Sequence, residues 1–168
     1  MDLMSFKYST IQDFPKPGVR FIDFSTTLTD PESFQFVVDQ LTMKVKSKDF
    51  DYIIAPEARG FIWGATLSYT TGLPLILARK KGKLPRVGAS VDYPTEYSFD
   101  TLEVPEVDLT GKKVVFVDDV FATGGTYNAC KKLVADLGGT LTNAVVLYNV
   151  GIVDNKEVRS LLRGAKYE

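Results

Sequence analysis

The feature that most constrains the fold of this chain is a set of four short apolar segments that alternate with stretches of helical periodicity. Apolar residues recur three and four positions apart over residues 30 to 48, 61 to 71 and 126 to 137, as on one face of a helix. The apolar segments are Tyr52–Ala55, Pro74–Ala78, Val114–Val117 and Ala144–Tyr148. Continuous apolar strands separated by helices are typical of a parallel sheet that is covered on both faces. The sequence therefore predicts an α/β fold, with a parallel sheet flanked by helices.

In such sheets, ligands bind beyond the carboxyl ends of the strands. The segments that follow Ala55, Ala78 and Val117 are therefore expected to meet at one site. Residues 82 to 110 break the alternation with glycines, prolines and polar side chains. A connection of that length is usually functional or contains a hairpin. We expect a flexible flap over residues 82–104, with Thr101–Val104 as a strand at its base.

Length and charge narrow the class of protein. The 168 residues predict a single domain, residues 1–168. Twenty Lys and Arg against 21 Asp and Glu give a net charge of −1, which argues against a nucleic-acid partner. No apolar run approaches the length of about 18 residues that a membrane helix needs, and the first residues do not resemble a signal peptide. We therefore expect an unprocessed cytoplasmic protein with no membrane partner.

Two residue types limit the possible chemistry. The chain has no histidine, which excludes a Ser-His-Asp triad, a Cys-His pair and an H-E-x-x-H zinc site. Proton transfer must then depend on carboxylates, lysine, tyrosine or the substrate. The single cysteine, Cys130, cannot form an intrachain disulfide, and its helix-patterned neighbours predict a core position.

The strongest motif is the segment from Val114 to Thr126. Two adjacent carboxylates follow the apolar strand, and a turn rich in glycine and threonine then leads into a helix. Backbone N–H groups and hydroxyls in such a turn can bind an anion, and the helix N-terminus adds its positive end. The turn is neither a Walker loop nor G-x-G-x-x-G, so it predicts a monophosphate site. Carboxylates beside it suit a cis-diol, which indicates a sugar phosphate bound by Asp118, Asp119, Ala122, Thr123, Gly124, Gly125 and Thr126.

This segment resembles the phosphoribosyl-diphosphate signature of type I phosphoribosyltransferases. The resemblance implies the fold of that family, with an N-terminal hood over residues 1–29 and the flexible flap. It also implies that Asp118 and Asp119 bind the ribose hydroxyls and that residues 122–126 bind the 5′-phosphate. Mg²⁺ would be the cofactor, held mainly by the diphosphate of the substrate and without a direct protein ligand.

Two further segments resemble the pyrophosphate site of the family. Pro56–Phe61 resembles a loop that binds pyrophosphate through Ala58 and Arg59, with a non-proline cis peptide before the arginine, at Ala58–Arg59. Residues 79 to 86 carry five cations, which would otherwise suit a solvated surface. The same run is similar to one in adenine phosphoribosyltransferases, which implies that Arg79, Lys80 and Lys83 bind pyrophosphate, partly across a dimer interface.

Two aromatic segments resemble the purine-binding parts of these enzymes. Phe14–Asp23 resembles the hood, in which Phe21 would stack on the base and main-chain groups near Arg20 would bind its edge. Tyr93–Tyr97 resembles a Tyr-x-x-Glu-Tyr motif, which makes Glu96 a catalytic proton donor or orienting group, together with Arg59. A carboxyl enclosed by a flap is a plausible acid because desolvation favours its protonated form.

The implied function is that of an adenine phosphoribosyltransferase, a pentosyltransferase of purine salvage. It would convert adenine and phosphoribosyl diphosphate into AMP and pyrophosphate as a homodimer. Another purine base stays open, because the chain departs from the pattern of these enzymes at Ile22, Thr26, Ser98 and Asn149. A non-catalytic sensor of phosphoribosyl diphosphate is the alternative from another class of protein.

Overall fold

The computed structural model of the chain describes residues 6–14, 17–94 and 99–164. These residues divide into two compact units, residues 1–40 and residues 41–168. The first unit contains the antiparallel strands β1 (Ser9–Gln12) and β2 (Arg20–Asp23), the short helix α1 (Ser25–Leu28) and most of helix α2 (Pro31–Lys46). The start of α2 is as predicted, because Asp30 accepts a hydrogen bond from the Ser33 N–H and Pro31 occupies the first helical position.

The second unit is built on one mixed sheet. Its described strands lie in the order β5-β6-β4-β3-β7-β8-β9, in which β4, β3, β7, β8 and β9 are parallel and β6 is antiparallel to both neighbours. The elements, in chain order, are β3 (Tyr52–Pro56), α3 (Arg59–Thr71), β4 (Leu75–Lys80), β5 (Ala89–Pro94), β6 (Phe99–Val104), β7 (Lys113–Phe121), α4 (Gly125–Asp136), β8 (Thr140–Asn149) and β9 (Val158–Arg163).

Helices cover both faces of this sheet. Ile54 packs in one buried cluster with Cys130 and Leu133 of α4. The next residue, Ala55, is approached from the other face by α3, where a Cβ on Gly64 would lie 2.5 Å from the Ala55 Cβ. Because successive side chains of a strand point to opposite faces, α3 and α4 lie on opposite sides. The predicted α/β fold is therefore confirmed, and Cys130 is fully buried in its core.

Strand β7 is longer than its apolar run predicts. It continues to Phe121, paired with β8 through Asp118 opposite Val146 and Phe121 opposite Asn149. Asp118 and Asp119 therefore lie within a strand and not in the loop that follows it. This matters for function because the sheet ladder fixes the backbone that carries both carboxylates.

The predicted flap region contains a hairpin. Strands β5 and β6 pair from Ala89 opposite Val104 to Pro94 opposite Phe99, and β6 joins the edge of the sheet at β4. The expected strand Thr101–Val104 is confirmed as part of β6, which begins at Phe99. In the part of the chain that the structure describes, no helix is long and apolar enough to span a membrane.

Candidate functional site

The site opens where strands β3 and β7 separate. The two strands pair only from Tyr52 opposite Val114 to Ile54 opposite Phe116. Beyond that point lies a cavity of about 270 Å³. Its described lining consists of Pro56, Glu57, Ala58, Arg59, Tyr93, Leu102, Asp118, Asp119, Val120, Ala122 and Thr126. The structure thus brings the predicted ribose residues and the predicted pyrophosphate loop to one cleft.

An ion pair joins these two groups of residues. The Arg59 Nε lies 2.9 Å from Asp119 Oδ2, and the Asp119 side chain is only 5% exposed. The other carboxylate oxygen of Asp119 accepts a hydrogen bond of 2.8 Å from the Val120 N–H. Both oxygens are therefore fixed in direction, and Arg59 begins helix α3 with its guanidinium turned to the acidic pair.

The neighbouring carboxyl, Asp118, has a raised pKa. Burial raises the pKa of Asp118 well above its ordinary value, and the adjacent charge of Asp119 raises it further. Its Oδ1 accepts a hydrogen bond of 2.9 Å from the Asp119 N–H. Asp118 therefore takes up a proton more readily than a free carboxyl, and in that form it can donate to a hydroxyl as well as accept from one.

A smaller cavity of about 100 Å³ lies against the turn between β7 and α4. Its described lining includes every residue of the predicted phosphate turn, Ala122, Thr123, Gly124, Gly125 and Thr126. Gly124 caps the helix with a φ of 85°, a conformation that glycine adopts without strain. The first N–H groups of α4 follow directly, and they have no carbonyl partner within the helix. This segment, residues 122–126, is called the phosphate cradle below.

Glu57 fixes the start of the cation-rich residues 79–86, which lie next to the cavity and are called the basic segment below. Its Oε2 accepts hydrogen bonds from the Arg79 Nε at 3.1 Å and from the Lys80 N–H at 3.0 Å. The backbone bond from Lys80, followed by the bond from Arg79, lowers the pKa of Glu57. The Arg79 guanidinium also lies 5.8 Å from the Phe61 ring centre. Glu57 lines the cavity, so it links the two predicted parts of the pyrophosphate site.

The remaining cations of the basic segment lie further out. The Lys80 Nζ pairs with Asp100 Oδ2 at 3.1 Å. Lys83 is exposed, and the adjacent Gly82 N–H donates to the buried Glu103 carboxylate at 3.0 Å. As far as the described residues define the cavity, Arg79, Lys80 and Lys83 lie beside it and not in its lining.

One expectation about the loop before Arg59 is wrong. The non-proline cis peptide is Glu57–Ala58, one residue earlier than the predicted Ala58–Arg59 bond. The loop does contain a non-proline cis peptide, as the resemblance implied, but the sequence offers no physical signal for which of its bonds is cis. Gly60 follows in a crowded position, since a Cβ there would lie 2.7 Å from Pro56 Cδ and 3.1 Å from Asp118 Oδ1.

The predicted purine residues belong to the other unit. Arg20 is exposed and Phe21 is half-buried on β2, where the Phe14 ring meets it edge-on at 5.2 Å. Ile22, the next residue of β2, is buried. Glu96 and Ser98 lie outside the described residues.

Asn149 has a structural role at the end of β8. It is buried, its side chain accepts from the Gly151 N–H at 2.9 Å, and its carbonyl accepts from the Gly164 N–H at 2.8 Å. Ile22 and Asn149, two of the four departures from the family pattern, are therefore both buried residues of the fold.

Larger openings elsewhere do not contain the predicted residues. A shallow depression of about 690 Å³ is lined by Gly88, Glu106, Val107, Asp108, Thr110, Asp136, Leu137 and Gly138. These residues precede strands β7 and β8, away from the carboxyl ends of the strands. The converging charged groups at the cleft between β3 and β7 make that cleft the better candidate site.

Comparison with known proteins identifies the family. Residues 26–161 match the family model of the phosphoribosyl transferase domain. The chain belongs to this family. Its sequence is 43% identical over 153 residues to an adenine phosphoribosyltransferase of Caldicellulosiruptor saccharolyticus, covering 90% of this chain and 87% of the relative. It is 46% identical over 144 residues to the adenine phosphoribosyltransferase of Pseudoalteromonas translucida, covering 84% and 79%.

Solved structures of the family share the fold of this chain. The crystal structure of adenine phosphoribosyltransferase from Thermoanaerobacter pseudethanolicus superposes with a TM-score of 0.90 at 38% identity, covering 96% of this chain and 99% of that one. The Saccharomyces cerevisiae enzyme superposes with a TM-score of 0.85 at 29% identity, covering 95% and 97%, and its structure contains adenine and an imino-altritol bisphosphate. The type I phosphoribosyltransferase fold implied by the motifs is therefore confirmed.

Proposed function

We propose that this protein is an adenine phosphoribosyltransferase, which forms AMP and pyrophosphate from adenine and phosphoribosyl diphosphate. The observation that carries the proposal is the cleft where Arg59 pairs with Asp119 beside the phosphate cradle. A cation, an acidic pair and an anion site in that order match a pentose that carries phosphate at one end and diphosphate at the other. The names of the relatives support adenine as the base.

In this mechanism the chain positions a reactive sugar and stabilises its leaving group. The cradle binds the 5′-phosphate, and Asp118 and Asp119 bind the two ribose hydroxyls. The bond between the sugar C1 and the diphosphate oxygen breaks with its electron pair on oxygen, and a C1–N bond to the purine forms. The proton that the purine nitrogen loses passes to the released pyrophosphate or to water. Arg59 and the basic segment of Arg79, Lys80 and Lys83 offset the charge on the departing pyrophosphate.

The purine half of the proposal rests on motif resemblance. Phe21 would stack on the base, main-chain groups near Arg20 would bind its edge, and Glu96 would orient or protonate it. Stacking of a base on an aromatic ring contributes about 1–3 kcal/mol. A base that adopts one orientation presents one nitrogen to the sugar C1, which is the geometric requirement of the reaction.

Mg²⁺ enters this proposal as a partner of the diphosphate. Mg²⁺ is usually bound through one or two carboxylates, substrate phosphates and water, and the cleft offers Asp118 and Asp119 as carboxylates. Among the described residues, no three potential ligand side chains gather. The residues present thus fit a metal carried mainly by the substrate, where it would offset the negative charge of the diphosphate.

We also propose a homodimer, supported by an exposed stripe on α3. Ile62 and Tyr69 lie seven positions apart on one helical face, with Tyr69 90% exposed. Light scattering after size-exclusion chromatography would give twice the chain mass for a dimer. Tyr69→Lys would shift that mass toward the monomer, and a monomeric parent protein would contradict the proposal.

Product analysis tests the function. The purified protein is incubated with phosphoribosyl diphosphate, Mg²⁺ and either adenine, hypoxanthine, guanine or xanthine, and the nucleotides are separated by chromatography. AMP from adenine, with one pyrophosphate released per AMP, is the expected result. Nucleotide from another base only would change the assigned substrate. Binding of phosphoribosyl diphosphate without product from any of the bases would support a sensor instead.

A further inference from the structure

A buried tyrosine lies directly behind the phosphate cradle. Tyr127, the third residue of α4, is 1% exposed and lines the small cavity of the cradle. Its ring meets Phe116 edge-on at 5.5 Å and Phe121 at 6.0 Å. Phe121 in turn lies against the cradle, because a Cβ on Gly124 would be 3.1 Å from its Cζ. The Tyr127 ring therefore fixes the position of Phe121, which packs against the phosphate cradle.

The tyrosine hydroxyl extends away from the cradle to a second element. It donates a hydrogen bond of 2.6 Å to Glu157 Oε2, and the Lys131 Nζ lies 3.0 Å and 2.9 Å from the two oxygens of the same carboxylate. The Lys131 Nζ also lies 5.7 Å from the Tyr127 ring centre. The Glu157 carbonyl accepts from the Ala144 N–H at 2.9 Å, so the backbone that carries this carboxylate is attached to strand β8.

The pKa shifts of Tyr127 and Glu157 keep the tyrosine hydroxyl as the donor of this hydrogen bond and the carboxylate as its acceptor. Burial, followed by Glu157, raises the pKa of Tyr127, so its hydroxyl keeps its proton. The bonds from Tyr127 and Lys131 lower the pKa of Glu157, so its carboxylate is ionised at neutral pH. Hydrogen bonds to an ionised acceptor are stronger than those between neutral groups.

The hydrogen-bond network of Tyr127, Glu157 and Lys131 is attached to the first turn of α4, where the helix presents its first N–H groups. The first intrahelical bond at this end runs from the Asn128 N–H to the Gly124 carbonyl. The N–H groups of Gly125, Thr126 and Tyr127 come before it and can be directed at an anion. A glycine-rich turn is intrinsically flexible, so the direction of these donors depends on what fixes the first helical turn. Tyr127 is the large side chain of that turn.

We propose that Tyr127 is a positioning residue for the 5′-phosphate, fixed in place by Glu157 and Lys131. The inference rests on the proposed function, since it assigns a task at the same cradle. The Tyr127 ring and hydroxyl attach the first turn of α4 to the core and to β8. The cradle donors are thereby aligned before the phosphate arrives, and binding does not have to order them.

The test compares two ligands that occupy opposite ends of the cleft. Ribose 5-phosphate probes the cradle, and pyrophosphate probes Arg59 and the basic segment, each by titration calorimetry. Tyr127→Phe keeps the ring and removes the hydroxyl. We expect its affinity for ribose 5-phosphate to fall about five- to tenfold, less than the full effect of a lost hydrogen bond to a charged group, because the hydroxyl acts on the phosphate only through the first turn of α4. Its affinity for pyrophosphate should stay within about twofold of the parent.

Kinetics and a second variant separate positioning from general damage. The KM for phosphoribosyl diphosphate should rise by a factor similar to the loss of affinity, with kcat at saturation almost unchanged. Glu157→Gln keeps an oxygen acceptor for Tyr127 but loses the charge, so we expect a smaller loss, about two- to threefold. The matched control is Lys132→Gln, which breaks the exposed Lys132–Asp136 pair on the same helix and should leave both affinities unchanged.

Each result has a defined meaning. Unchanged ribose 5-phosphate affinity in both Tyr127→Phe and Glu157→Gln would overturn the inference, even if the melting temperature falls. Equal losses for both ligands would also overturn it, because a structural defect moves both. If Tyr127→Phe does not fold, Glu157→Gln decides alone. Absence of ribose 5-phosphate binding by the parent protein would instead refute the proposed function, and with it this inference.

Discussion

The substitution Asp119→Asn tests the centre of the proposed site with almost no change of shape. Asparagine keeps an oxygen that can accept from the Val120 N–H, but it removes the negative charge. Two interactions are then weakened: the ion pair with Arg59 and the acceptor for a ribose hydroxyl. The loss of like charge beside Asp118 offsets part of the structural cost, so the variant should melt close to the parent protein.

The size of the effect follows from the exposure of each partner. The Arg59 side chain is 54% exposed, so its pair with Asp119 contributes about 1 kcal/mol at most. The proposed ribose bond would be made to a buried charged acceptor, and such bonds contribute about 1.5–3 kcal/mol. The sum of about 1.5–4 kcal/mol corresponds to a loss of about 10- to 10³-fold in kcat/KM.

The assay is the initial rate of AMP formation at several concentrations of phosphoribosyl diphosphate. Asp136→Asn, the same change at an exposed partner of Lys132, is the control and should keep the full rate. Circular dichroism would check that both variants are folded. A folded Asp119→Asn variant with more than about a third of the parental kcat/KM would refute the role of this carboxylate in binding the ribose.

Three other changes have distinct expected outcomes. Arg59→Ala should lower kcat/KM by about tenfold or more and weaken pyrophosphate binding, measured by calorimetry, whereas full activity would remove Arg59 from the pyrophosphate site. Asp118→Asn should lower activity by at least about tenfold while raising thermal stability at neutral pH. Between the ordinary and the raised pKa of Asp118, the folded protein binds more protons than the unfolded chain, so the free energy of unfolding falls as pH rises. The stability gain of Asp118→Asn should therefore grow in thermal melts as the pH rises above about 4, the ordinary carboxyl range, and a constant difference would contradict the raised pKa. Cys130→Ala should reduce the free energy of unfolding by about 1 kcal/mol through lost core packing, with kcat and KM unchanged, and a changed KM would show that this buried thiol influences the site.

The parallel strands and the helices between them could be predicted because apolar residues recur with different spacing in the two kinds of element. Tyr52–Pro56 is a continuous apolar run, and α3 ends at Thr71 before Gly72, whose φ of 74° is typical of a glycine cap. The edge strands lack such a signal. Strand β9 mixes half-buried polar residues and an exposed Arg163 with a buried Leu161. Strand β5 alternates half-buried and exposed residues in a segment with glycine and proline neighbours.

The site was predictable where its residues are consecutive in the chain. The segment from Asp118 to Thr126 gives both the acidic pair and the cradle, since a strand end and a helix start meet there. Partners that are distant in sequence could not be predicted. Glu57 and Arg79 are 22 residues apart, and Tyr127 and Glu157 are 30 apart, so each pairing depends on how separate strands pack. The one indication in the sequence that Glu57 lies at the site is its position two residues before Arg59.

The early separation of β3 from β7 also gives the acidic pair a spectroscopic use. Past Phe116, strand β7 keeps only β8 as a pairing neighbour among the described strands. The amides of Asp119 and Val120 are bonded to the carboxylates of Asp118 and Asp119 instead. A sugar bound there would cover these two amides and slow their exchange with solvent. Deuterium uptake at these two amides would therefore monitor occupancy of the cleft in the unmodified protein, without a label or a mutation.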